Sequence, residues 1–218
     1  MRTEKEPRMQ YIEKNFVRMG EQREKILGAI LEVDKDGIQI SGSEGQMLKV
    51  LAKMIEAEKV VEIGTLLGFS TTWLLEAVGP KGKVWSFEKM SEHHRIAQEL
   101  LKTEVEQNRL SLHLGDAIEE LPKIESEGPF DMVFIDANKA AYLDYFNWAH
   151  RNLRSGGLIV ADNTFLFGMV YQDETPPNHA KAVAVMREFN QNLGEHPEYD
   201  AILIPTSEGM TIARKKSL

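Results

Sequence analysis

Two short stretches hold the residues best suited to chemistry, Asp136-Ala137-Asn138-Lys139 and Asp162-Asn163. Each follows an apolar, strand-like run, residues 131–135 and 158–161. Neighbouring strands lie roughly 4.8 Å apart. If these two are adjacent, Asp136, Asp162 and Asn163 converge on one point. Two carboxylates and an amide oxygen are hard ligands that suit Mg²⁺, with waters completing an octahedron, and Mn²⁺ or Ca²⁺ fits the same set. Lys139 adds a cation three residues after the first aspartate. The same residue types also cap helices and make turns for purely local reasons. Two acidic stations on adjoining strands favour a site over that alternative.

Three further stations follow strand-like runs. Residues 59–63 lead into Gly64-Thr65-Leu66-Leu67-Gly68-Phe69-Ser70. Glycines there permit a tight turn and close approach of a ligand to the backbone. The spacing is not G-x-G-x-x-G, so the second glycine that admits a pyrophosphate is missing. An adenosyl group without phosphates needs no such cradle. Glu88 closes the second run, where a carboxylate can accept hydrogen bonds from both ribose hydroxyls. Gly115-Asp116-Ala117 closes the third and is placed to wall an adenine, with Asp116 equally able to cap a helix. The six histidines show no metal-ligand spacing and read as surface residues. No G-x-S-x-G elbow is present, and Ser70 opens a helix instead of presenting a nucleophile.

The elements that must position these residues follow from periodicity. Residues 22–33 and a segment after Ser43 have helical spacing, with Ser43-Glu44-Gly45-Gln46 matching a capping box. Strands are expected at 59–63, 83–88, 110–114, 131–135, 158–161, 201–204 and 210–213. Helices are expected at 70–78, from a Ser91 cap, at 139–153 and at 179–193. The last two strands are joined by only 205–209, too short for a crossover, so they must pair antiparallel. The fold class is therefore α/β, a doubly wound, mostly parallel seven-stranded sheet ending in an antiparallel hairpin. One domain is expected over 1–218, with 1–56 as a helical cap and 57–218 as the core.

The chain has 218 residues, a net charge of −8 and no cysteine. Disulfides and thiolate sites are excluded, and a broad cationic nucleic-acid surface is disfavoured. The polar start Met1-Arg2-Thr3-Glu4-Lys5-Glu6-Pro7 lacks an apolar signal core, and no run is long enough to span a bilayer. A cytoplasmic protein is expected.

Taken together, Ile40 to Gln46, Glu62 to Ser70, Phe134 to Lys139 and Asp162-Asn163-Thr164 resemble the cation-dependent O-methyltransferases, which include catechol and caffeoyl-CoA O-methyltransferases. The similarity runs from about residue 40 to Arg214. It implies a Rossmann-like methyltransferase fold with N-terminal helices over the active site, and often a homodimer. Glu62, Gly64, Thr65, Gly68, Ser70, Glu88, Asp116, Ala117, Asp136 and Asn138 would hold S-adenosylmethionine. Asp136, Asp162 and Asn163 would bind Mg²⁺ or a similar cation, and Lys139 with Asp136 would be catalytic, Lys139 as the base or its positioning partner. The acceptor implied is a small catechol-like aromatic. Many relatives have aspartate where this chain has Asn138. The Arg-Tyr-Tyr run of the plant coenzyme A-ester enzymes is absent from 182–187, so a free catechol is expected over a coenzyme A ester. Three alternatives stay open: a tRNA hydroxyuridine methyltransferase of the same fold, a nicotinamide oxidoreductase, and a non-catalytic binding module.

Overall fold

A computed structural model describes residues 7–35 and 37–217. Of the polar stretch discussed above, residues 1–6 therefore lie outside the described residues and only Pro7 within them. Helices α1 (Pro7–Phe16), α2 (Gly20–Glu32) and α3 (Gly42–Met54) precede β1 (Lys59–Ile63). Then follow α4 (Phe69–Val78), β2 (Lys83–Glu88), α5 (Ser91–Leu100), α6 (Lys102–Glu106), β3 (Leu110–Leu114), α7 (Ala117–Glu120) and β4 (Phe130–Ile135). The chain continues through α8 (Tyr142–Asn152), β5 (Leu153–Asp162), α9 (Ala180–Glu195), β6 (Tyr199–Ile204) and β7 (Met210–Lys215).

The strands form one seven-stranded sheet in the order β3-β2-β1-β4-β5-β7-β6. The first five are parallel, whereas β7 runs antiparallel to both β5 and β6. Alternation along the strands builds two cores. Val61, Ile63, Val133 and Ile135 face α8 and α9, while Val60, Met132 and Phe134 face α2, α3 and α4. Both faces of the central strands are thus buried, which is why apolar residues stand at successive positions such as 60–61 and 132–135.

Several boundaries differ from the sequence expectation. The capping box at α3 is Ser41 with Glu44, not Ser43 with Gln46. The Ser43 amide instead donates to Glu13 Oε1 on α1, 2.8 Å away. Ser91 is the first residue of α5 and not its cap; Met90 holds that position, and its amide donates to Glu88 Oε1 at 2.8 Å. Strand β5 begins at Leu153, five residues early, because it crosses Gly156-Gly157 where the pairing with β4 shifts register. Lys139–Ala141 is a 3-10 turn that precedes α8, so Lys139 stands ahead of the helix. No helix among the described residues is long and apolar enough to cross a membrane.

Candidate active site

The order of the sheet reverses at β1, with β2 on one side and β4 on the other. Ligands in such sheets bind outside the carboxyl ends of the strands at this switch point. A cavity of about 440 Å³ lies there. Its walls include Gly64, Thr65, Ser70, Glu88, Asp116, Ala117, Asp136, Asn138, Lys139 and Asn163. Of the expected residues, Glu62, Gly68 and Asp162 do not line it.

Gly64 and Gly68 have local structural reasons. Gly64 has φ +106°, and a Cβ there would stand 2.0 Å from the Asp136 carbonyl oxygen. Only glycine lets the ends of β1 and β4 approach so closely. Gly68 has φ +94° and turns the chain into α4, with its missing side chain replaced by Leu101.

Glu62 is fully buried behind the cavity and accepts hydrogen bonds from Thr71 Oγ1 and Ser86 Oγ, each 2.6 Å. Burial pushes its carboxyl up to about 7, against those hydroxyl hydrogen bonds. Glu88 accepts from the amides of Leu66 and Met90, both at 2.8 Å, which fixes its carboxylate at the rim. A carboxylate has about four acceptor sites, so two remain for a ligand. Asp116 lines the cavity and caps the next helix, as the alternative reading foresaw. One oxygen caps α7 at the Ile118 amide, 3.1 Å, and the other meets Lys89 Nζ at 2.8 Å. The lysine holds the Asp116 carboxyl below the usual range.

At the other end of the cavity, β4 and β5 are adjacent and parallel, with Ile135 opposite Ala161. Asp136 follows β4 and Asn163 follows β5, and both line the cavity, whereas Asp162, the last residue of β5, is buried and does not. Lys139 Nζ joins them, donating to Asp136 Oδ1 (3.0 Å), the Asp162 carbonyl (3.1 Å) and the Tyr142 hydroxyl (2.5 Å). Asn163 adopts φ 58°, a left-handed turn that asparagine tolerates. Its Oδ1 is buried with no hydrogen-bond partner among the described residues. A buried acceptor in that condition is costly unless something binds it. Among the described residues no three His, Cys, Asp or Glu side chains form a metal cluster. A cation here would thus need the amide oxygen beside the two aspartates. Those hard oxygens fit a Mg²⁺-type ion.

Asn138 is turned to local work, its side chain accepting from the Ala140 amide at 3.2 Å. The surface reading of the histidines needs correction. His93 lines the cavity with Nδ1 3.8 Å from Glu88 Oε1. His113 stacks on Phe87 with ring centroids 4.8 Å apart. His150 and His196 pack on each other at 5.3 Å against Phe146 and Tyr199. Aromatic packing absorbs imidazoles that a one-dimensional polarity count assigns to solvent. Sequence reasoning also missed Tyr145, whose burial raises its phenol to about 12, and the linker residues Lys35, Ile38 and Gln39. Tyr145 falls three residues after Tyr142 on the same helical face, which was a usable signal. The linker carried none, since its place depends on how α2 and α3 dock.

A family model described as O-methyltransferase matches residues 20–216. A curated catechol O-methyltransferase of Mycobacterium tuberculosis is 40% identical over 78% of this chain and 74% of its own length. One of Niastella koreensis is 36% identical, covering 81% and 79% respectively. Among solved structures, an O-methyltransferase of Streptomyces achromogenes involved in tomaymycin synthesis, in complex with SAM, aligns with a TM-score of 0.87 at 30% identity, covering 95% of each chain. With the model spanning most of its length and such relatives beside it, this chain belongs to the O-methyltransferase family.

Proposed function

We propose that the protein transfers a methyl group from S-adenosylmethionine to one hydroxyl of a catechol-like acceptor with the help of a divalent cation. The observation that carries this is the meeting of Asp136, Lys139 and the buried Asn163 Oδ1, unpartnered among the described residues, at one end of a cavity whose other end presents Glu88 and Asp116-Ala117. The SAM-bound structure from Streptomyces achromogenes and the catechol O-methyltransferase relatives support the choice of donor and acceptor. The chain acts as one catalytic unit, with the N-terminal segment reaching the cavity through Lys35, Ile38, Gln39 and Ile40.

Glu88 offers its spare acceptor sites to the ribose hydroxyls, and the Asp116-Ala117 turn walls the base. Gly64 and Thr65 bring bare backbone to the ligand. Glu62 holds this floor together through Thr71 and Ser86. Asp136, Asp162 and Asn163 would hold the cation. When bound, S-adenosylmethionine supplies an activated methyl on its sulfonium, and the cation lowers the pKa of a coordinated hydroxyl. Lys139 stands beside that position to steer the proton, which the hydroxyl releases to solvent. Its three acceptors match the three protons of an ammonium, so it presents a fixed positive charge where oxyanion character develops. The cavity's remaining contribution is alignment of the two reacting atoms.

Asp136→Ala tests the assignment. Metal-stimulated turnover should fall by about 100-fold or more, with the far-ultraviolet circular dichroism unchanged. Full activity in this variant would overturn it.

A further inference from the structure

Resting on that reading, we infer that Tyr142 is the positioning residue for Lys139, and that its hydroxyl ties the lysine to the ends of both strands that flank the reaction centre. Tyr142 is fully buried at the start of α8. Its hydroxyl accepts a hydrogen bond from Lys139 Nζ at 2.5 Å and donates toward the Asp162 carbonyl at 2.8 Å, with the Ile135 carbonyl at 3.2 Å. Ile135 ends β4 and Asp162 ends β5. One phenol thus bridges the two strand termini and the ammonium between them.

The ring adds a second constraint. Lys139 Nζ stands 4.7 Å from the Tyr142 ring centroid, within cation–π range. The ring itself is held edge-on to Phe189 of α9 at 5.3 Å and tilted against Tyr145 at 6.2 Å. A lysine side chain has four rotatable bonds and loses substantial entropy when fixed. Asp136 alone cannot fix it, because that carboxylate is itself at the cavity wall. Tyr142 supplies an immobile acceptor from the core side, three residues along, which keeps Nζ beside Asp136 with or without ligand.

Tyr142→Phe removes the hydroxyl and keeps the ring. Labelling of lysines with a succinimidyl ester, read by peptide mass spectrometry, should show Lys139 reacting about threefold faster or more than in the parent protein, with Lys89 unchanged as internal control. Loss of a hydrogen bond to a charged group predicts a kcat lower by about tenfold, with the KM for S-adenosylmethionine within about twofold. In a Lys139→Met background the same change should alter kcat by less than about twofold, since the partner is already gone. Unchanged labelling would overturn the proposal, as would an equal loss of kcat in both backgrounds, which marks a merely structural tyrosine. Faster labelling with no turnover of any catechol by the parent protein would sink the functional reading and leave the lysine clamp standing.

Discussion

Glu62 shows how one residue reports on the whole floor of the site. Its carboxyl is raised from 4.5 to about 7 by burial. The folded state therefore holds a proton that the unfolded chain releases. Below about pH 4.5 both states are protonated and the shift contributes nothing. Between there and about pH 7 the native protein binds more protons than the unfolded chain, so stability falls as pH rises. The full cost, reached above that window, is about 3 kcal/mol by the conversion of 1.4 kcal/mol per unit. Glu62→Gln does not titrate, so its melting temperature should gain on that of the parent protein as the pH is raised from 5 to 8. A constant difference across that range would show that Glu62 is ionised throughout in the native state. The sequence placed Glu62 at the end of a strand, but its burial depends on Ser86 of the neighbouring strand and on Thr71 of the following helix. The positions of Asp136, Asp162 and Asn163 at the carboxyl edge were legible because β4 and β5 close in apolar runs, residues 132–135 and 158–161. Tyr142 was legible only as a core residue, since its hydroxyl contact appears when Lys139 folds back.

At the scale of elements, α3 packs broadly on α4, while α2 docks there through fewer, well-buried contacts. Arg23 of α2 lies over the Trp73 ring at 3.5 Å, donates to the Thr72 carbonyl at 3.2 Å and pairs with Glu76 at 2.6 Å. Glu76 is nearly half exposed, so the ion pair is discounted for screening. The cation–π contact and the buried hydrogen bonds carry the interaction. Arg23→Ala should cost about 2 kcal/mol in urea unfolding and speed proteolytic cleavage within residues 33–41. Because that linker lines the cavity, the KM for the acceptor should rise as well. Unaltered cleavage would mean that α2 is anchored by its apolar face alone, through Ile26 and Ile30. The same docking explains the misplaced capping box. Ser41-x-x-Glu44 and Ser43-x-x-Gln46 are both good local signals, and Glu13, thirty residues upstream of Ser43, decides between them. The class of the sheet, by contrast, followed from short-range information: the strand and helix rhythm, then a five-residue gap that forces a hairpin.

For the molecule as a whole, charge separates two acceptors that the fold would allow. A net charge of −8 opposes the phosphate contacts that a structured RNA needs. Transfer RNA should give no gel shift at about 0.15 M salt. A shift at that salt, with methylation of the RNA, would turn the choice of acceptor from catechol to nucleoside. The family itself rests on the fold, the cavity and the relatives together, whereas cation and acceptor rest on the few residues at the ends of β4 and β5. Methyl transfer from S-adenosylmethionine to a small panel of catechols, assayed with Mg²⁺ and again with EDTA, tests that point most directly. Product that forms with Mg²⁺ and disappears with EDTA is predicted. Equal product in both, from an enzyme stripped of metal beforehand, would contradict a cation held by Asp136, Asp162 and Asn163.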